Sequence, residues 1–425
     1  MLGGRLDFLE KKGAERVLVG FDLGNKYSQI SYCVEGSEVP ETLSLVAGSE
    51  SYNIPTVLCK RQGVNQWFFG REAYKFAEEN DGILIENLVE LAKNGEKVYI
   101  EAKDFDPVAL LTLFVKRSLS LLSGICSLDK IGGVMFTCDD LDREMIDVLA
   151  KVSGSLDLKT KNICFQGHVE STYYYNIYQP RDLWNQQVIV CDCDGEKMKT
   201  YRMECNKRTT PVVVFMEPLE FPFTAIAPNQ KDRNFLEILE QLCADRIVSC
   251  IYLLGEGFYG QWMQESLKFM CKNRRVFQGN NLFSKGACYS LMEKQHVSAA
   301  GREHVFLGKE KLKSNIGMKV QRRGMDSYLA LLDAGTNWYE TQKEVEFILE
   351  SGDTFSVLIT PLNGRDVTVV EVSLQGLEER PVGTTRIRLV ADMVSEGKVQ
   401  LRMEDMGFGE LFPATHAKWR KMIEV

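Results

Sequence analysis

One pattern occurs twice in this chain and limits the folds open to it. An apolar strand ends in an aspartate, a glycine-containing polar turn follows, and a second strand returns. The first copy lies in Arg16–Tyr32, where Val17–Gly20 is strand-like, Asp22 precedes Gly24, and Gln29–Cys33 alternates again. The second is Gln187–Cys193, then Asp194-Gly195, then Lys199–Met203. Glycine lets such a turn aim backbone N–H groups at an anion. Asn25, Lys26, Tyr27 and Ser28 would line that hollow in the first copy. A lone D-x-G is more often an ordinary hairpin with an exposed acid. Two copies predict a duplicated domain with two facing halves and a ligand in the cleft between them.

A third turn extends the series. The buried strand Ile247–Leu254 ends in Gly255-Glu256-Gly257 before a helix expected over Gln261–Cys271, whose first N–H groups would be free for a ligand. Leu282–Ala287, including Gly286, opens a further helix with small residues that permit close approach. Between the first two turns, Asp106-Pro107 starts a helix to about Leu122, and Asp139-Asp140-Leu141-Asp142 caps another through Val152. Strand Asn162–Gln166 leads into an aromatic helix, Glu170–Tyr178, whose Tyr173-Tyr174-Tyr175 reads as packing rather than a ligand box. Strands alternating with helices predict an α/β sheet with helices on both faces. Beyond residue 313 the runs Glu344–Thr360, Asp366–Leu374, Thr385–Asp392 and Lys398–Glu404 predict an antiparallel β-sandwich. A short helix is expected over Ala414–Ile423. The expected domains are 1–312, with lobes of about 1–184 and 185–312, and 313–425.

Charge and cysteine usage exclude some functions. A net charge of -8 argues against nucleic acid as a main ligand. No apolar run approaches a membrane span, and the first sixteen residues lack the core of a signal peptide. The expectation is therefore no membrane and a cytoplasmic protein. Twelve cysteines are scattered through apolar segments, which suits buried free thiols in a reducing compartment. Cys191 and Cys193 form a C-x-C, but with only four histidines in the chain a zinc site is not expected.

The order of the three turns resembles the actin, sugar-kinase and heat-shock ATPase superfamily, and within it the DnaK-type heat-shock chaperones. VGFDLGNKYSQISY looks like their first phosphate motif, and IVCDCDGEKMKTYRM stands where the second belongs. YLLGEGFYGQWMQESL is similar to the adenosine motif, IPTVL with FGREA to the strand pair after the first motif, and ESTYYYNIY to a helix start that brings in Glu170. The resemblance implies a duplicated actin-like, ribonuclease H-like ATPase core followed by a β-sandwich substrate-binding domain. It implies ATP or ADP with magnesium. Asp22 and Asp192 would orient the metal and the attacking water, and Glu170 would assist at the hydrolytic site. Gly24, Asn25, Lys26, Tyr27 and Gly195 would cradle phosphate, while Gly255, Gly257 and Gly286 would lie at the nucleotide. Such chemistry is mostly positioning and electrostatics. The β-domain would hold a peptide or a protein partner.

Departures from the family pattern leave two functions open. Asp194, Glu196 and Lys197 replace a bare backbone in the second turn, and carboxylates there repel phosphate. Glu256 replaces a glycine, apolar Leu88 falls at the place of a catalytic lysine, and Thr200–Ile251 is short for a full adenine-gripping subdomain. The basic Leu307–Ser314 is unlike the family's apolar linker, and the chain ends soon after the β runs, so the expected relative lacks a helical lid. One reading is a chaperone-like protein that binds ATP with slow or absent hydrolysis. The other is a pseudo-ATPase scaffold acting as a protein-interaction module.

Overall fold

The computed structural model describes residues 16–425 except 47, 80–81, 194–196, 225–226, 245, 280 and 363–365. The chain is mixed α/β with several sheets. It divides into two compact units between Val305 and Phe306.

Two sheets organise the larger unit. In the first, β1 (Val17–Leu23) pairs antiparallel with β2 (Tyr27–Val34) and parallel with β3 (Ile131–Cys138), which pairs parallel with β4 (Ile163–Gly167). In the second, β5 (Gln187–Asp192) pairs antiparallel with β6 (Lys197–Asn206), which continues to β7 (Val212–Pro222). On its other side β5 pairs parallel with β8 (Val248–Leu254), and β8 with β9 (Arg275–Gln278). Both sheets therefore place the aspartate-bearing strand at the centre, with its hairpin partner on one side and parallel strands on the other. Every residue of β1 is buried, as a central strand covered on both faces requires.

The described helices include α1 (Gly70–Glu79), α2 (Leu88–Asn94), α3 (Pro107–Ser120), α4 (Arg143–Gly154), α5 (His168–Ile177), α6 (Pro228–Cys243), α7 (Glu265–Met270) and α8 (Leu282–Gln295). Their starts follow local chemistry. The Asp106 carboxylate accepts from the Val108 N–H beside Pro107, and Asp142 accepts from the Met145 N–H. Thus Asp142 alone of the 139–142 acids caps α4, and Asp139 is left for another role. Helix α8 lies against β1 and crosses α5. Glycine permits both approaches: a Cβ on Gly20 would stand 2.1 Å from the Ser284 oxygen, and one on Gly286 2.0 Å from the Ser171 oxygen. Neither space exists for a side chain.

The stretch Pro107–Gly124 is long and apolar enough to cross a membrane by length and composition, against the expectation that no run approaches this. Half of it is buried inside the unit, with Leu110, Leu111, Phe114 and Val115 turned inward, as in a core helix. The helix expected over Gln261–Cys271 shrinks to α7. Phe258 and Trp262 are needed in the core around Phe235, Leu239 and Ile251, so the chain turns inward before helix can start.

The smaller unit is two four-stranded antiparallel sheets. One runs β11-β10-β13-β14, from β10 (Ser314–Arg322), β11 (Met325–Leu332), β13 (Thr354–Pro361) and β14 (Thr368–Ser373). The other runs β12-β15-β16-β17, from β12 (Gln342–Leu349), β15 (Thr385–Ser395), β16 (Lys398–Asp405) and β17 (Lys418–Glu424). Strict alternation of buried and half-buried residues along β15 gives its inner face to the core. The helix expected over Ala414–Ile423 is instead β17, paired with β16 from Lys398↔Glu424 to Glu404↔Lys418.

A candidate ligand cleft filled by its own ions

The ends of β1, β3 and β5 converge on His168, the first residue of α5. Its Nε2 lies 2.7 Å from Asp22 Oδ1, and its Nδ1 lies 3.9 Å from Asp139 Oδ1. Asp192, at the end of β5, acts on the same imidazole by charge. The Phe283 ring from α8 stacks on it at 3.8 Å and 3°. Burial alone would lower the His168 pKa, but the charge and hydrogen bond of Asp22, then Asp139 and Asp192, raise it above the ordinary imidazole value. His168 is thus biased toward its charged form, seated against an aromatic face that favours positive charge.

Asp139 ties this cluster to the second sheet. Its Oδ1 accepts from Lys199 Nζ at 2.5 Å and from the Tyr201 hydroxyl at 3.3 Å, both on β6. Burial would raise the Asp139 carboxyl, but His168 and Lys199 more than offset it and hold the group down. The Tyr201 hydroxyl is pushed far up by burial, then by Asp139 and Asp192, and stays protonated as a donor. Phe283 touches Tyr201 edge-on at 5.9 Å.

The other expected site residues are placed as follows. Gly24 is required by the turn, because a Cβ there would lie 2.4 Å from the Tyr27 carbonyl oxygen. Asn25 turns away from any anion. Its carbonyl oxygen accepts from the Glu90 N–H, and its amide donates to Asn87, so it caps α2. Lys26 is exposed, with its ammonium 5.5 Å from the Tyr27 ring centroid. Tyr27 lines a recess of about 370 Å³ together with Tyr52, Arg71, Tyr74 and Tyr259. Gly195 lies outside the described residues. Glu170 is buried two residues beyond His168, where its charge, after burial, helps push up the Tyr174 hydroxyl.

The third turn closes on the chain itself. Gly255 has φ +89, a left-handed value that favours glycine. The Gly257 N–H donates to the Cys193 carbonyl at 2.7 Å, and a Cβ on Gly257 would strike Cys193. The first N–H groups of α7, expected to be free, are taken. Gln264, Glu265 and Ser266 donate to the Asp232 carboxylate of α6 at 3.0, 2.8 and 3.1 Å. Gly286 faces the Ser171 backbone at the α8–α5 crossing rather than a ligand. Asp22 and Asp192 are thus brought to one imidazole, whereas Gly286 serves a helix crossing.

Residues 39–309 match a family model described as the C-terminal part of a family of unknown function, DUF5716. The chain belongs to that family. Residues 311–425 match a domain of unknown function, DUF8552, so the two matched regions meet close to the division between the compact units. No curated protein matches the chain.

Sequence reasoning missed His168, Asp139, Lys199, Tyr201 and Phe283. The available signal was a histidine directly after Gly167 in a chain with only four, two residues before the glutamate already singled out.

Proposed function

We propose that the larger unit is a duplicated actin-like, ribonuclease H-like core that has given up ATP turnover, and that the chain is a protein-interaction scaffold. The observation that carries this reading is His168. An aspartate that orients magnesium needs an open oxygen, and Asp22 Oδ1 is engaged by the imidazole at 2.7 Å. An imidazolium in that place neutralises the carboxylates as a metal would, and it repels a second cation. The residues present therefore do not fit magnesium. The Asp232 carboxylate at the α7 N-terminus acts similarly, occupying donors that a ligand anion would use. Matching strand orders in the two sheets support the duplicated core.

The scaffold's holding site is the smaller unit. A groove of about 1160 Å³ runs between its sheets, lined by Met318, Leu329, Phe347 and Phe355 together with charged Lys319, Arg322 and Glu346. An extended peptide or partner segment with apolar anchors and polar flanks fits such a lining. Cysteines scattered through the apolar strands and helices favour a reducing, cytoplasmic setting.

Calorimetric titration with Mg·ATP tests the core. The expected result is no heat and no thermal shift at millimolar nucleotide. Saturable binding would replace this reading with an ATP-binding, chaperone-like one, for which the Tyr27–Tyr259 recess is the site to map first. Fluorescence anisotropy with an extended apolar peptide tests the groove separately. Binding lost in Phe347→Asp supports it, and no binding at high micromolar protein removes it.

A further inference from the structure

Helix α8 lies along β1 and β2 with a repeating contact. Ser284 Oγ is 2.8 Å from Ser31 Oγ. Four helix residues advance about 6 Å, and two strand residues advance about 6.8 Å. The next rung is therefore Cys288 of α8 against Cys33 of β2. Other contacts agree. Cys33 is the register partner of Leu18, and Cys288 Sγ lies 3.5 Å from the Leu18 carbonyl oxygen. Both cysteines belong to one buried cluster with Leu18, Met135, Ala287 and Leu291, and each thiol perturbs the ionisation of the other.

The two sulfurs are unequal. The neighbouring Cys288 lowers the Cys33 pKa against the effect of burial, with help from Ser37. Burial, and then Cys33, pushes Cys288 well up. Their access differs too. Cys288 is fully buried; Cys33 is 4% exposed, its thiol lying directly under the exposed turn Glu35–Ser37, 3.3 Å from the Ser37 carbonyl oxygen. A nucleophile beneath a single surface turn, with a protonated resolving thiol deeper in the core, is the layout that thiol–disulfide exchange uses once that turn opens.

We propose that Cys33 and Cys288 are a redox-active dithiol that a small disulfide converts to an intramolecular disulfide joining β2 to α8. The Cys33 thiolate attacks one sulfur of the small disulfide, whose S–S bond breaks and releases one thiolate, which takes up a proton. Cys288, losing its proton, then attacks the Cys33 sulfur of the mixed disulfide and expels the second small thiol. Two protein thiols are oxidised by two electrons, and one small disulfide is reduced to two thiols. The bond fixes α8, which carries Phe283 over His168, to the first hairpin. It closes a long loop, so the oxidised chain melts at a higher temperature.

The test is incubation of the folded full chain with oxidised glutathione, followed by intact-mass and peptide mapping. The expected result is a loss of two hydrogens and a Cys33–Cys288 linked peptide, reversed by dithiothreitol and formed before any adduct at Cys191 or Cys250. In Cys288→Ser the reaction stops at one glutathione on Cys33. An unchanged mass in the wild-type chain, a first cross-link between other cysteines, or a Cys288→Ser protein without the Cys33 adduct overturns the proposal.

Discussion

Each unit holds a buried aspartate against a basic side chain, but the two basic groups differ. In the smaller unit Arg380 makes a bidentate contact with Asp405 at 2.9 and 2.8 Å, with both side chains buried. Thr415 and the Gly407 N–H complete the carboxylate, and Arg380 also donates to the Pro413 carbonyl. Burial would raise the Asp405 carboxyl, but these hydrogen bonds hold it far below its ordinary value. In the larger unit, Asp22 has a single contact to a histidine. The first arrangement is a permanent tie between the loop at Arg380 and the end of β16, since arginine does not titrate in proteins. The second can be unmade by losing one proton.

The sharpest way to break the comparison is Arg380→Ala. It leaves Asp405, fully buried, with no compensating charge, and such losses cost about 3–5 kcal/mol. Denaturant melts of the full chain should show the smaller unit unfolding first. A loss under about 1 kcal/mol, the scale of an exposed pair, would make Arg380 a surface contact.

His168→Gln should cost less, about 1.5–3 kcal/mol, the worth of a hydrogen bond to a charged group. Its pH dependence separates the two sites. The His168 pKa is raised on folding, so its contribution is complete below the unfolded value near 6.5 and disappears as pH rises through the folded value. The Asp405 pKa is lowered, so its contribution is complete above the unfolded value near 3.8 and is lost only in stronger acid. Stability measured across neutral to alkaline pH should therefore fall in the larger unit and stay level in the smaller. His168→Gln should flatten the first curve, and an unchanged slope in that variant would assign the titration to another group.

The same contrast explains what was legible in the sequence. The strands that end at Asp22, Asp192 and Leu254 were readable because strand period is a local signal. The antiparallel strands of the smaller unit were readable from short alternating runs. His168 was not, because its partner lies 146 residues away and only the fold joins them. Asn25 and the helix expected over Gln261–Cys271 misled for the same reason. Tertiary structure spends the Asn25 side chain on the start of α2, and the Asp232 carboxylate takes the N–H groups at the start of α7 that were expected to be free. The end of the chain failed differently. KWRKMIE has no decisive period, and pairing with β16 makes it a strand. Gly286 was rightly taken as a point of close approach, but the approaching group is the Ser171 backbone.

The smallest expected effect tests how far the charge cluster extends. Lys199 reaches Asp139 from the second sheet, and the Asp139 side chain is 57% exposed. A pair so open to solvent contributes about 0.2–1 kcal/mol. Lys199→Ala should therefore change unfolding by no more than that. Its electrostatic consequence is larger than its stability cost. Asp139 loses its second cation and acts more strongly on His168, so the imidazole pKa rises. The alkaline loss of stability should then move to higher pH in Lys199→Ala, readable by following the His168 ring through an NMR titration. If the midpoint instead falls or stays fixed, Asp139 does not act on His168, and the cluster reduces to the Asp22 contact with its stacked Phe283.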